Sequence, residues 1–148
     1  MKTSAAGLAL IQQFEGYVGH MYCDAVGIPT IGYGHVIGAD ETPLRTAILS
    51  QSAATSLLQR DLVRYEAAVT TNVTAPLTQH QFDALVSFTY NCGPAALAKS
   101  SLLKWVNLGT TDKGTITRAF GLWNRAGGKV LDALVKRRAK EAALFLLP

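Results

Sequence analysis

The chain has 148 residues, of which 49% are hydrophobic and 16% charged, a balance that allows one folded unit with a core and excludes a disordered chain. Its 14 basic and 10 acidic residues give a net charge of +4, and ten of the basic but only three of the acidic residues lie from Lys99 onward. A basic C-terminal half suits an anionic polymer, whether a bacterial wall, a nucleic acid or a membrane surface.

The first predicted element is a helix with Thr3 or Ser4 as its N-cap, ending before Gly16. Its apolar stripe recurs at helical spacing and consists of Leu8, Ile11 and Phe14. This segment superficially resembles a secretory signal, but it runs directly into Glu15. We therefore expect the first helix of the mature domain rather than an export signal. No apolar run approaches the ~20 residues needed to cross a bilayer.

Residues 17–38 carry six glycines or prolines among β-branched and aromatic residues, a composition typical of short strands and tight turns, here a β-hairpin. A long helix is predicted at about 50–69. The residues of its apolar face are Ala53, Leu57, Leu58, Asp61, Leu62, Tyr65 and Val69. The next helix has a capping-box pair, Thr78 and Gln81, and ends at Gly93-Pro94.

Three shorter helices are predicted at about 101–108, 115–124 and 130–146, joined by short polar or glycine-rich connections such as residues 125–128. The last is a basic amphipathic helix. We expect its run at 136–140, Lys-Arg-Arg-Ala-Lys, to form a solvated face while the apolar residues dock onto the domain. Insertion of this helix into an anionic membrane is the alternative.

These elements predict an α+β fold in a single domain, residues 1–148. A small β-hairpin lobe at about 16–45 is joined by the long helix to a larger all-helical lobe, residues 70–148 together with the N-terminal helix. A cleft between the lobes is the expected place for a polymer-binding site. The two cysteines, Cys23 and Cys92, are too few for a disulfide framework, and free thiols are favoured over a bridge.

Three polar side chains near the N-terminus are candidate catalytic residues for the cleavage of an acetal. Glu15 is predicted at a helix end, and Asp24, nine residues later, and Thr30, six further, lie in the hairpin. Cleavage of an acetal needs one acid to protonate the leaving oxygen and other groups to hold and activate water. The alternative is a structural turn, in which Glu15 interacts with the helix end and Asp24 starts an Asx-turn.

This pattern, with the run Thr30-Ile-Gly-Tyr-Gly-His35 behind it, resembles the phage-type (T4-like) lysozymes, the endolysins of glycoside hydrolase family 24. The resemblance continues through Tyr90-Asn-Cys-Gly93 and Trp123-Asn-Arg-Ala-Gly-Gly-Lys-Val-Leu131. It implies a lysozyme-like fold and the hydrolysis of the β-1,4 bond between N-acetylmuramic acid and N-acetylglucosamine in peptidoglycan, leading to host cell lysis. The departures are Ala133, where many relatives have glycine, and the two cysteines.

The resemblance assigns catalytic roles to Glu15 as general acid, Asp24 as the ionised carboxylate, and Thr30 as the residue that positions water. It also implies saccharide-binding roles for Val36, Tyr90 and Ser101. Each of these three has a plain alternative: hairpin core for Val36, a helix-end aromatic for Tyr90, and a helix N-cap for Ser101. A structural role, bonded to a nearby acid, is expected for His35, and no cofactor or metal is expected.

The expected partners are peptidoglycan glycan strands, with the basic C-terminal helix as a candidate contact to an anionic outer membrane, no nucleic acid, and a monomeric state. The enzyme is expected in the host cytoplasm until release, and then at the wall in the periplasm. Three alternatives stay open: a lytic transglycosylase, a catalytically retired wall-binding module, and membrane killing by the basic helix.

Overall fold

The structure, a computed structural model, describes residues 1–148. The chain forms two compact units, Ile11–Val63 and Met1–Leu10 with Arg64–Pro148, so the divisions between them fall inside two helices. None of its helices is both long and apolar enough to span a bilayer. The prediction of a single domain with a cleft between two lobes stays a prediction.

The unit Ile11–Val63 is built around a three-stranded antiparallel sheet. Helix α1 (Ala5–Glu15) leads into strands β1 (Val18–Cys23), β2 (Pro29–Gly32) and β3 (His35–Val36), in the order β1-β2-β3. A 3-10 turn (Thr42–Arg45) and helix α2 (Gln51–Asn72) follow. The core of the unit consists of Ile31, Ile37 and Leu57, with Met21, Leu44 and Leu49 packed against it.

The second unit is helical. Its elements are α3 (Gln79–Cys92), α4 (Pro94–Lys99), α5 (Ser101–Asn107), α6 (Lys113–Gly121) and α7 (Asp132–Phe145), with a two-stranded hairpin, β4 (Arg125–Ala126) and β5 (Lys129–Val130), before α7. Aromatic rings meet edge-on in the core: the ring of Phe88 lies 5.9 Å from Phe120 and 5.8 Å from Trp123. Such pairs add to the free energy of burial.

Most predicted helices are present with small shifts in their ends. The capping box on α3 is confirmed, because the Thr78 side chain accepts from the Gln81 amide while the Gln81 side chain accepts from the Thr78 amide. Three elements were missed: the 3-10 turn at Thr42–Arg45, helix α4 and the hairpin of β4 and β5. Helix α4 has proline at its first position, a known start signal, and Gly127-Gly128 is the two-residue turn of a hairpin rather than a plain connection.

Two expectations about exposure are wrong. Ala53 lies on the exposed side of α2, and Ala54 takes its place in the core. The basic run of α7 is not solvated throughout, because Arg137 and Arg138 are buried at 3% and 1% exposure, although Lys136 and Lys140 are exposed as expected. Both guanidiniums pair with the buried carboxylate of Glu141, at Nε–O distances of 3.1 and 3.0 Å. Burial of a cation is tolerable only with such a partner.

Candidate active site

Glu15 is the last residue of α1, at a point where the backbone leaves the helix. Gly16 has φ +72°, a left-handed conformation that glycine adopts without a steric penalty. Its amide still donates to the Gln12 carbonyl at 3.0 Å, which holds the final turn together. The Glu15 side chain is half-buried. A carboxyl group at this position is therefore carried by a well-defined helix end.

Asp24 lies directly after β1, at the start of the turn into β2. Its Oδ1 accepts two backbone hydrogen bonds, from the amides of Val26 and Ile28, both at 2.9 Å. This is the Asx-turn of the structural alternative, so Asp24 has that role. The turn engages Oδ1 only and fixes the orientation of the carboxylate, while Oδ2 remains open to another partner.

Thr30 lies on β2 and is 4% exposed. Its hydroxyl donates to the Ile28 carbonyl at 2.9 Å. Because a hydroxyl has one hydrogen to donate, any further partner of Thr30 must be a donor to its lone pairs. Thr30 therefore has a fixed hydroxyl that offers an acceptor.

The sheet register brings two side chains beside Thr30. Tyr22 on β1 and Val36 on β3 are its cross-strand partners. Directly opposite residues in antiparallel strands share a face of the sheet, so one face has the row Tyr22, Thr30 and Val36. The structure thus brings the predicted saccharide-binding residue Val36, 56% exposed, next to Thr30.

Tyr22 is the residue of this row that both acids influence, and the sequence alone did not identify Tyr22 as a site residue. Burial, and after it the negative charges of Glu15 and Asp24, raise the pKa of Tyr22. Both carboxylates therefore lie within electrostatic range of one phenol. The signal in the sequence was the Tyr-x-Asp spacing, because residues two apart at a strand end point to the same side.

The other predicted residues belong to the helical unit. Tyr90, near the end of α3, packs edge-on against Tyr65 at 5.1 Å between ring centroids. The N-cap prediction for Ser101 is wrong, because the cap of α5 is Ser100, whose side chain accepts from the Leu103 amide. Ser101 is the exposed first residue of the helix. The saccharide-binding roles of Tyr90 and Ser101 stay predictions.

His35 has the structural role expected for it. Its Nδ1 lies 2.7 Å from the Asp61 carboxylate and its Nε2 lies 3.0 Å from that of Glu41. The pKa of Glu41 is lowered, first by the Gly38 amide that donates to it, and further by His35 and Arg60. This polar cluster ties β3 to α2 and to the 3-10 turn.

The described residues contain no group of three or more His, Cys, Asp or Glu side chains that could hold a metal ion. Both cysteines are free. Burial raises the pKa of the Cys92 thiol, although the neighbouring Arg138 acts against this.

The fold and this arrangement define a lysozyme-like protein, and comparison with known proteins assigns the family. Residues 12–141 match the phage lysozyme family, and the chain belongs to it. An endolysin of Bacillus phage B103 is 42% identical over 99% of this chain, which spans 54% of that relative. The chain thus covers about half the length of the Bacillus phage relatives it matches.

Two solved structures have the same fold over 99% of this chain. The muramidase domain of SpmX from Asticaccaulis excentricus has a TM-score of 0.86 at 40% identity and covers 99% of both chains. A P22 lysozyme mutant has a TM-score of 0.88 at 36% identity, again over 99% of both. These matches confirm the predicted lysozyme-like α+β fold and the predicted family of phage lysozymes.

Proposed function

We propose that this chain is an endolysin muramidase of glycoside hydrolase family 24, of the T4-like type. It would hydrolyse the β-1,4 bond between N-acetylmuramic acid and N-acetylglucosamine in bacterial peptidoglycan. In a chain of the phage lysozyme family, Tyr22 is the strand partner of Thr30, and its pKa is raised by burial and by the charges of Glu15 and Asp24; this observation carries the proposal. Its relatives bear the names endolysin and muramidase.

Glu15 is the general acid in this proposal. It donates its proton to the bridging oxygen as the glycosidic C–O bond breaks, and the bonding electron pair leaves with that oxygen. The helix end supports this assignment because proton transfer needs an acid held within hydrogen-bond reach of the leaving oxygen.

Asp24 and Thr30 orient the attacking water. Because Thr30 already donates to Ile28, its oxygen accepts one hydrogen of the water. The open Oδ2 of Asp24, whose Oδ1 is bound by two amides, accepts the other. With both hydrogens engaged, a lone pair of the water is free to attack the anomeric carbon, and Asp24 takes up the released proton.

Peptidoglycan glycan strands are the proposed partner of a monomeric enzyme. The proposal includes no contact with an anionic outer membrane, because Arg137 and Arg138 of the basic helix are buried and Lys136 is paired with Asp132 at 3.1 Å. We place the enzyme in the host cytoplasm until the membrane is opened, after which it acts on the wall in the periplasm. Expression with and without a membrane-permeabilising agent tests this, since lysis should require the agent.

The decisive experiment is a turbidity assay on outer-membrane-stripped Gram-negative cells with wild type, Glu15→Gln and Glu66→Gln. Removal of a general acid costs about a hundredfold or more in rate, so Glu15→Gln should clear the suspension at least that much more slowly. Glu66, which accepts hydrogen bonds from Thr3, is the matched control, and its variant should retain activity. Near-normal clearing by Glu15→Gln would refute the acid assignment.

Mass spectrometry of the products separates hydrolysis from the transglycosylase alternative. Hydrolysis leaves a hydrated reducing end, whereas a transglycosylase leaves an anhydro-sugar lighter by one water. An inactive wild type would favour the wall-binding alternative, and lysis that survives Glu15→Gln would favour membrane killing.

A further inference from the structure

The helical unit contains a cavity of about 390 Å³ between the end of α3, the β4–β5 hairpin and the start of α7. This volume is typical of a small-molecule binding site. One wall of the cavity is apolar and consists of Trp123, Ala126, Leu131 and Leu134. The Trp123 ring is held edge-on by Phe88 at 5.8 Å between ring centroids, and Leu131 is 43% exposed. This apolar wall is therefore accessible to a ligand.

The polar lining residues are Asn91, Cys92 and Arg125, and no acidic residue lines the cavity. The buried guanidinium of Arg138 holds the first two in place, because it donates to Asn91 Oδ1 at 2.6 Å and to the Cys92 sulfur. Since the bond to Asn91 uses its carbonyl oxygen, the Nδ2 group, which is a donor, is the part of this side chain that is left for a ligand.

Arg125 brings a positive charge to the cavity. It is exposed on β4, and its Nη1 donates to the Gly128 carbonyl at 3.4 Å, a long bond that leaves most of its five N–H donors for other partners. The acid nearest to it in the sequence, Asp132, is paired with Lys136 at 3.1 Å. The cavity therefore offers a cation and hydrogen-bond donors beside an apolar wall.

A ligand that matches this lining has a carboxylate next to small apolar groups. A carboxylate can accept hydrogen bonds from a guanidinium and from an amide, and charge-assisted bonds of this kind are stronger than neutral ones. Peptidoglycan carries such groups on the short peptides attached to N-acetylmuramic acid, which contain alanine methyl groups and carboxylates. The N-acetylglucosamine ring, by contrast, has no charge that matches Arg125.

We propose that the cavity binds the peptide arm of peptidoglycan, with a carboxylate of the arm on Arg125 and Asn91 and its methyl groups on the apolar wall. This role rests on the proposed muramidase function and adds a binding site for the part of the substrate that is not sugar. Because the contact is the same before and during bond cleavage, it lowers KM and does not change kcat.

The test compares two kinds of soluble, uncrosslinked glycan strand, one with its peptides and one stripped of them by an amidase. Initial rates of reducing-end release should give the wild type a KM about tenfold lower on the strands with peptides, the effect of one charge-assisted hydrogen bond. In Arg125→Gln the two KM values should agree within about twofold. Arg118→Gln is the matched control. Arg118 is an exposed arginine on α6 that does not line the cavity, so its variant should keep the tenfold difference.

A second measurement does not depend on activity. NMR follows the indole N–H signals of the two tryptophans while peptides released from the same wall by the amidase are added. The Trp123 signal, assigned by its absence in Trp123→Phe, should shift, whereas that of Trp105, which lies on α5 outside the cavity lining, should not. The same peptides with their carboxylates converted to amides should leave both signals in place, and so should the unmodified peptides added to Arg125→Gln.

The outcomes separate this inference from the proposed function. Equal KM values of the wild type on both strands, or a KM difference that survives in Arg125→Gln, overturns the binding of the peptide arm and leaves the muramidase proposal standing. An unchanged Trp123 signal overturns it as well, and so does a shift that persists with the amidated peptides, because that shift would not depend on a carboxylate. A wild type that releases no reducing ends from either strand refutes the proposed function itself.

Discussion

Helix α7 contains two ion pairs of the same spacing and length that differ in burial. Lys136–Asp132 and Arg137–Glu141 are both i,i+4 pairs with an N–O distance of 3.1 Å. The side chains of the first pair are 71% and 82% exposed, whereas those of the second are 4% and 0% exposed. If one member of each pair is neutralised, the two changes in the free energy of unfolding show how burial alters the contribution of an ion pair to stability within one helix.

We predict that Glu141→Gln destabilises the protein by about 3–5 kcal/mol, the cost of leaving buried charges without their partner. Glu141 lies between Arg137 and Arg138 and also accepts from the Ser87 hydroxyl at 2.8 Å. Burial raises the pKa of Glu141 while the two guanidiniums lower it. We take the carboxyl as ionised, because otherwise two buried cations would have no counter-charge.

Lys136→Gln, the control, should cost no more than about 0.5 kcal/mol, since exposed pairs are screened by water. Urea unfolding followed by circular dichroism gives both free energies from the midpoint and slope. In thermal scans Glu141→Gln should lower Tm by roughly 10 °C, at about 2–4 °C per kcal/mol for a chain of this size. A cost below about 1 kcal/mol for Glu141→Gln would refute the argument and indicate an uncharged Glu141.

The other predictions concern single groups. Thr30→Val should lower the rate of wall clearing by about tenfold or more through loss of one hydrogen bond to the water. Thr30→Ser, which keeps the hydroxyl, should retain most of the wild-type rate. Equal rates in the wild type and both variants would exclude the water-positioning role. The folded-state pKa of Glu41 is lowered, so the stability that its ionised carboxylate contributes is present above the unfolded-state pKa and is lost as the pH falls through the folded-state pKa. Glu41→Gln should therefore reduce the fall of Tm at acidic pH. An unchanged fall of Tm would contradict this. Thr78→Ala should cost about 1 kcal/mol in urea unfolding through loss of its cap, and a cost near zero would show that the capping box adds nothing. Gly93→Ala should destabilise the protein by about 1 kcal/mol, because Gly93 has φ +95°, a conformation that alanine adopts only with strain. Calorimetry measures the change, and an unchanged stability would contradict the prediction.

The sequence by itself determined the features that depend on nearby residues. The capping box at Thr78 and Gln81, the helix end at Gly16 and the hairpin composition of residues 17–38 are set by hydrogen bonds and backbone preferences within a few positions. The Glu15, Asp24 and Thr30 spacing belongs to the same class, because one helix end and one hairpin position all three. Helix α4 was not predicted, because its six residues are too few to show the periodicity of a helix.

Only the tertiary structure decided which side chains meet. The row of Tyr22, Thr30 and Val36 depends on strand register, and a slip of one residue would turn each side chain to the other face. The burial of Arg137 and Arg138 depends on Glu141 and on Ser87, which lies 54 residues before Glu141. A basic run has the same local pattern whether or not such partners exist, because the cost of burying a charge is set by what the fold places beside it.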